Sequence, residues 1–169
     1  MVNTAYESEF LAFKRLLDRT GIPYHTAVGN HDNHNAEGNS VKEAPYRQII
    51  GDPFHYTFTH KGLGFVIANN SGSAAPELTQ QAIVEREQHL RAHLESHANR
   101  PVVVACHIPV VPIREENILK RSFDIPTYKV AEPGMLSLIE KHRHHVSAVL
   151  SGHLHLSGVL SQNGINHID

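Results

Sequence analysis

Six side chains that can bind a metal ion or handle a proton occur in three short motifs far apart in the chain. The motifs are GNHD (29–32), CHIPV (106–110) and GHLH (152–155). They contribute Asn30, His31, Asp32, His107, His153 and His155. Histidine is the commonest metal ligand, and an asparagine carbonyl adds a neutral ligand where further negative charge would repel a phosphate. The set favours a metal site.

Each motif also has a simpler interpretation when taken alone. A Gly-Asn-His-Asp string is usually a turn, and a single histidine at a strand end is more often a hydrogen-bonded core residue. Each motif, however, follows its own predicted strand, in the segments PYHTAV, PVVVAC and VSAVL. Sites in open α/β sheets form beyond the carboxyl ends of the strands, so the three loops are expected to converge. Gly29 and Gly152 would let the backbone turn sharply there.

The remaining elements predict one α/β layered domain over residues 1–169. We expect an amphipathic helix in SEFLAFKRLLDRTG, a hairpin turning at Lys61-Gly62, and a long helix over about 79–96. A polar, proline-punctuated loop follows the second motif, and Pro133 suits the first turn of a further helix. The valine-rich strands predict burial on both faces, and the last 13 residues predict a second hairpin.

Composition excludes several classes of function. The net charge of −2 gives no basic surface for broad binding of nucleic acid or anionic membrane. No apolar run approaches the roughly 18 residues of a membrane span. The single cysteine, Cys106, excludes an internal disulfide framework and fits a reducing compartment, so we expect a cytoplasmic location. Fifteen histidines in 169 residues are the one abnormal figure.

The three motifs together resemble the third, fourth and fifth motifs of the calcineurin-like metallophosphoesterase superfamily, which includes purple acid phosphatases and cyclic-nucleotide phosphodiesterases. The segment DPFHYTFTHKGLGFVIANNSG is similar to the hairpin of that superfamily, and VEREQHLRAHLES is similar to its Gln-Leu-rich helix. The resemblance covers essentially the whole chain. It implies a two-sheet αββα sandwich.

The resemblance also implies roles for the motif residues. Asn30, His107 and His153 would bind one metal ion, and His155 the other. His31, steadied by Asp32, would act as general acid or transition-state stabiliser on a small phosphoester substrate. The implied reaction is hydrolysis of phosphoric mono- or diesters at two divalent ions (Mn, Fe, Zn or Co) by a metal-activated hydroxide.

Two motifs of the superfamily, Asp-x-His and Gly-Asp-x-x-Asp, do not occur ahead of the GNHD motif, where the resemblance places them. We therefore expect a piece of a longer protein, or a natural truncation, that binds at most one ion well. Alone it should be inactive or weakly active. Two alternatives are a non-catalytic binding module that kept the fold and a histidine-rich metal buffer.

Several other residues have side chains that could bind a metal or a substrate, and most of them have a simpler interpretation. The row His89, His93 and His97 is interpreted as a solvated helix face. His34 is assigned to its loop, and Cys106 to the core as a small apolar residue. Asp124 and Tyr128, in the long loop, are possible substrate contacts.

Overall fold

The computed structural model describes residues 4–33, 44–51, 53–71, 80–113 and 133–169. Helices in these ranges are α1 (Glu7–Asp18), α2 (Asn30–Asn33), α3 (Gln80–Ser96) and α4 (Pro133–Lys141), with a π-helical turn at Tyr46–Ile50. The strands are β1 (Tyr56–His60), β2 (Leu63–Ile67), β3 (Val102–Ala105), β4 (Val146–Leu150), β5 (Val159–Gln162) and β6 (Ile165–Ile168).

The six strands form one mixed sheet in the order β1-β2-β3-β4-β6-β5. Its four central strands are parallel, and each edge strand is antiparallel to its neighbour. Both predicted hairpins are confirmed, with paired positive φ angles at Lys61-Gly62 and at Asn163-Gly164. Such angles are those of type I′ turns, whose twist matches that of the flanking strands.

The main core lies on one face of the sheet, between the strands and helices α3 and α4. Val66, Val104 and Val149 are buried against Leu94 and Ile139. On the opposite face Val103 is only half-buried, and Leu150 and Ile168 are exposed. The prediction that the strands are buried on both faces is therefore wrong in the described residues, because helices cover only one side.

The segment Pro23–Val28, predicted as a strand, has no regular secondary structure and belongs to no strand. The Tyr56 hydroxyl takes the place of a strand partner: it accepts from the Thr26 N–H and donates to the Thr26 carbonyl, both at 2.9 Å. His25 stacks on Phe58 with ring centroids 3.5 Å apart. Side-chain contacts with β1 thus hold this segment, and the prediction of a strand was wrong.

A second, smaller core joins the N-terminal helix to the π-helical turn. Phe10 and Tyr46 are fully buried and meet edge to face, and Phe54 packs on the same tyrosine. Val28 belongs to this cluster, so it anchors the chain just before the first motif.

The α/β fold class is confirmed, and the mixed sheet with its helices is consistent with the calcineurin-like fold. Of the two sheets expected, the described residues form one. No helix among them is long and apolar enough to cross a membrane. His34, Asp124 and Tyr128 lie outside the described residues, as does most of the long loop after the second motif.

Candidate metal centre

The second and third motifs lie side by side because β3 and β4 are adjacent parallel strands that end at the same level. Backbone hydrogen bonds continue past the strand ends, from Cys106 N–H to the Leu150 carbonyl and from Gly152 N–H to the His107 carbonyl. This pairing brings His107 and His153 to one edge of the sheet.

Three of the predicted ligands meet at this edge. His107 Nε2 lies 2.7 Å from Asn30 Oδ1 and 3.2 Å from His153 Nδ1. The two imidazole rings meet edge to face, with centroids 5.0 Å apart. Residues up to 123 positions apart therefore place two further potential ligand atoms within hydrogen-bond distance of His107 Nε2.

These spacings fit a shared metal ion. Two atoms bound to one ion at about 2.1 Å and at right angles to each other lie about 3.0 Å apart. The separations of 2.7 and 3.2 Å bracket that value. Among the described residues, however, no three His, Cys, Asp or Glu side chains are placed to hold an ion, so the third ligand here must be the Asn30 amide. The donor set suits one transition-metal ion, and metal binding at these residues stays a prediction.

Gly29 is needed for close packing and not for an unusual backbone conformation. The chain turns directly after both glycines, with the Asp32 N–H donating to the Gly29 carbonyl and the Leu154 N–H to the Gly152 carbonyl, but neither glycine has a positive φ. A Cβ at position 29 would lie 3.1 Å from two ring atoms of His107 and 3.2 Å from Asp32 Oδ2. At position 152 the nearest atom would be 3.9 Å away. Of the two glycines, only Gly29 therefore packs tightly against its neighbours.

Asp32 is buried and fixes the first motif. Its Oδ2 accepts from the Gly29 N–H at 2.7 Å, and its own N–H donates to the Gly29 carbonyl at 3.1 Å. This reciprocal pairing closes the single helical turn α2 and presents Asn30 to His107. His31, on the same turn, is exposed.

The third motif turns through backbone conformations that are unusual for residues other than glycine. His153 and His155 have φ angles of +76° and +55°. Such conformations cost energy and tend to persist at functional sites. His153 is half-buried beside His107, whereas His155 is exposed and is not in the cluster of three ligand atoms.

Electrostatics keep the clustered imidazoles neutral. Burial, followed by repulsion from neighbouring charges including His153 and His31, lowers the pKa of His107 to about 4. Burial and then His155 and His31 lower the pKa of His153. A neutral imidazole has a free lone pair, which is the form that binds a metal. Both rings are thus prepared for coordination near pH 7.

Sequence reasoning missed Asn70, which follows β2 and contacts the second motif. It is fully buried, and its Oδ1 accepts from the backbone N–H groups of His107 and Ile108. The doublet Asn69-Asn70 at the end of an apolar strand was the available signal, since buried amides need specific partners.

The row of histidines that begins on helix α3 is only partly solvated. His89 is exposed, His93 is half-buried, and His97 is buried against β1, where its Nε2 is hydrogen-bonded to the Thr57 hydroxyl. The interpretation as a solvated face is wrong for His97. Cys106 is buried as predicted, and burial raises the pKa of its thiol to about 12.

Comparisons with known proteins agree with this architecture. A search of curated proteins finds no match. Among solved structures, the chain is similar to "GAP50 the anchor in the inner membrane complex of Plasmodium", with 17% sequence identity and a TM-score of 0.55. The match covers 87% of this chain and 48% of that one, so the chain spans about half the length of that structure.

The family model of the calcineurin-like phosphoesterases matches residues 3–157, which include all three motifs. That match covers strands β1 to β4 and the three clustered residues Asn30, His107 and His153, and it ends before β5. The chain belongs to the calcineurin-like phosphoesterase family.

Proposed function

We propose that this chain is part of a metal-dependent phosphoric ester hydrolase. The observation that carries the proposal is the convergence of Asn30, His107 and His153. His107 Nε2 lies 2.7 Å from Asn30 Oδ1 and 3.2 Å from His153 Nδ1. Family membership gives the fold of a phosphoester hydrolase, whereas the reaction of this chain and its substrate, a small phosphoester, are the proposal.

Asn30, His107 and His153 would hold one divalent ion, with Mn, Fe, Zn and Co as the candidates. When bound, the ion would supply positive charge for the phosphoryl oxygens and would lower the pKa of water, so that hydroxide is available to attack phosphorus. With one amide and two neutral imidazoles, the protein ligands carry no negative charge. The site would therefore keep its attraction for an anionic substrate.

His31 would act on the leaving group. It is exposed on the turn that carries Asn30, so its imidazole is accessible to a substrate held at the ion. Asp32 would support this role through its bond to the Gly29 N–H, which fixes the turn. His155, on the exposed side of the third motif, would contribute to a second ion.

A non-catalytic binding module is the second candidate. Two observations favour it: the solved structure matched above is named for an anchoring role, and the described residues contain no cluster of three His, Cys, Asp or Glu side chains. In this case the fold would be kept while metal binding is lost.

Metal analysis of the purified chain, followed by hydrolysis assays, separates the two candidates. For an enzyme we expect about one transition-metal ion per chain, lost in Asn30→Ala and His153→Ala. Hydrolysis of bis-p-nitrophenyl phosphate with Mn²⁺ should be weak and should disappear in the same variants. His144→Ala, at an exposed histidine outside the site, is the matched control.

A protein that takes up no metal from Mn²⁺, Co²⁺ or Zn²⁺ would support the binding module. Several loosely held ions that survive Asn30→Ala and His153→Ala would support a metal buffer. Rapid turnover by this chain would contradict the expectation of weak activity.

A further inference from the structure

We infer that Asn70 is the positioning residue that aims His107 at the metal centre; this inference rests on the proposed function. Asn70 lies three residues beyond β2 and only 1% of it is exposed. Its amide is hydrogen-bonded to the backbone of His107 and Ile108, so it acts on the site through the second motif.

The Asn70 amide binds three polar groups of that motif's backbone. Its Oδ1 accepts from the N–H of His107 at 3.1 Å and from the N–H of Ile108 at 2.9 Å. Its Nδ2 donates to the Ile108 carbonyl at 2.6 Å, with the Met135 sulfur 3.7 Å away. The partners also fix the amide orientation, because two donors face one end and a carbonyl faces the other.

These bonds fall where the chain leaves the sheet. After Ala105 the β2–β3 ladder ends, so the N–H groups of His107 and Ile108 need another acceptor, since Ile108 is fully buried. Asn70 supplies it. The backbone at His107 is then held from one side by Asn70 and from the other by Gly152, whose N–H donates to the His107 carbonyl.

Only an amide of this length satisfies all three groups. Aspartate keeps the acceptor for both N–H groups but places an oxygen against the Ile108 carbonyl. Leucine has a similar shape and offers neither an acceptor nor a donor. Loss of the acceptor would release the N–H side of the His107 backbone, and the imidazole would be held less firmly in the position in which Nε2 is 2.7 Å from Asn30 Oδ1.

Asn69 provides a matched control. It is also buried, and its Oδ1 accepts two bonds, from the N–H and the hydroxyl of Ser71. These bonds do not involve the second motif. A leucine at position 69 therefore removes a comparable number of buried hydrogen bonds without releasing His107.

The test compares Asn70→Leu, Asn70→Asp and Asn69→Leu in the full chain. Co²⁺ affinity is measured by calorimetry, and amide hydrogen exchange by NMR on the metal-free protein. We expect Asn70→Leu to weaken Co²⁺ binding by about 10-fold or more, the usual effect of losing a group that orients a metal ligand. Asn70→Asp should recover most of the affinity, and Asn69→Leu should stay close to the original protein.

Amide exchange gives a readout that does not depend on metal. In Asn70→Leu the amides of His107 and Ile108 should exchange at least about tenfold faster, while that of Val104 in β3 stays protected. If Asn70→Leu does not fold, Asn70→Ser, whose hydroxyl is too short to reach both N–H groups, replaces it. Unchanged exchange at both amides, or equal loss of Co²⁺ affinity in Asn69→Leu, would overturn the inference.

Failure of the proposed function has a different signature. A chain that binds no Co²⁺, yet shows faster exchange at His107 and Ile108 in Asn70→Leu, would refute the hydrolase and retain Asn70 as the group that positions His107.

Discussion

His107 Nε2 lies 2.7 Å from Asn30 Oδ1, although the two residues are 77 positions apart in the chain. No local element accounts for this contact. It arises because the turn that carries Asn30 packs against the end of β3, and Gly29 permits the close approach.

Adding one methyl group at Gly29 should disrupt the site, whereas the same change at Gly152 should not. The Cβ of Gly29→Ala would lie 3.1 Å from the His107 ring, so the ring or the turn must shift. We expect about a tenfold loss of Co²⁺ affinity, measured by calorimetry on folded protein. Gly152→Ala, with its nearest contact at 3.9 Å, is the control. Equal affinities in the two variants would contradict this packing argument.

The metal-free protein should lose stability as the pH falls from about 6.5 towards 4. Burial, then repulsion from His89 and Arg86, lowers the pKa of His55 to about 4, and the pKa of His107 is lowered similarly. Below about pH 6.5 the unfolded chain binds protons at these histidines that the folded chain does not bind, so the free energy of unfolding falls. Above that pH the two histidines add no further pH dependence to the stability of the protein.

Urea unfolding at pH 7.5, 6.0 and 5.0 measures this effect, and His55→Asn isolates one contribution. His55 Nδ1 accepts from the Asn69 N–H at 3.3 Å, a bond that the protonated ring cannot accept. The stability advantage of the original protein over His55→Asn should therefore shrink as the pH falls. A constant difference across the three pH values would show that His55 does not titrate on unfolding.

Gly64→Ala should destabilise the fold through a clash with His97. A Cβ at position 64 would lie 2.8 Å from His97 Cγ, closer than real side chains approach. Overpacking of this kind costs about 1–3 kcal/mol in the free energy of unfolding. In Gly64→Ala/His97→Ala the methyl group has room, so the double variant should lose less stability than the sum of the single variants. Additive losses in chemical denaturation would argue against the contact.

The Cys106 thiol should not react with thiol reagents in the folded protein. It is 4% exposed, its Sγ lies 3.4 Å from the Ile108 carbonyl, and burial raises the pKa of the thiol to about 12. A thiolate is needed for reaction with disulfide reagents. We expect no labelling by a thiol reagent in native buffer and rapid labelling in urea. Cys106→Ala should retain Co²⁺ affinity, which separates burial from any role at the metal.

The cluster of Asn30, His107 and His153 was accessible from sequence because each motif carries one candidate ligand, and the second and third motifs each follow a recognisable strand. Apolar runs placed β3 and β4, and the shared edge of parallel strands then brought His107 and His153 together. The strand expected at Pro23–Val28 failed because β-forming residues indicate an extended chain and do not reveal whether a partner strand exists. There a tyrosine hydroxyl satisfies the backbone instead.

Two further features depend on packing that the sequence pattern does not encode. Helical spacing identified the row of histidines that begins on α3, but the burial of His97, one residue past the helix, depends on Gly64 in β2. In the same way, the bonds of Asn70 require the ends of β2 and β3 to be aligned. Periodicity describes a single element, whereas both contacts join two.

The parallel order of β2, β3 and β4 also bears on how the protein acquires its site during folding. Parallel neighbours cannot be joined by a tight turn, so each pairing must close a long stretch of chain first. A nascent chain without β4 lacks His153 beside His107 and offers no assembled coordination point. Metal binding would therefore stabilise only the fully folded chain. Added metal should slow unfolding and should not promote the early collapse of the chain.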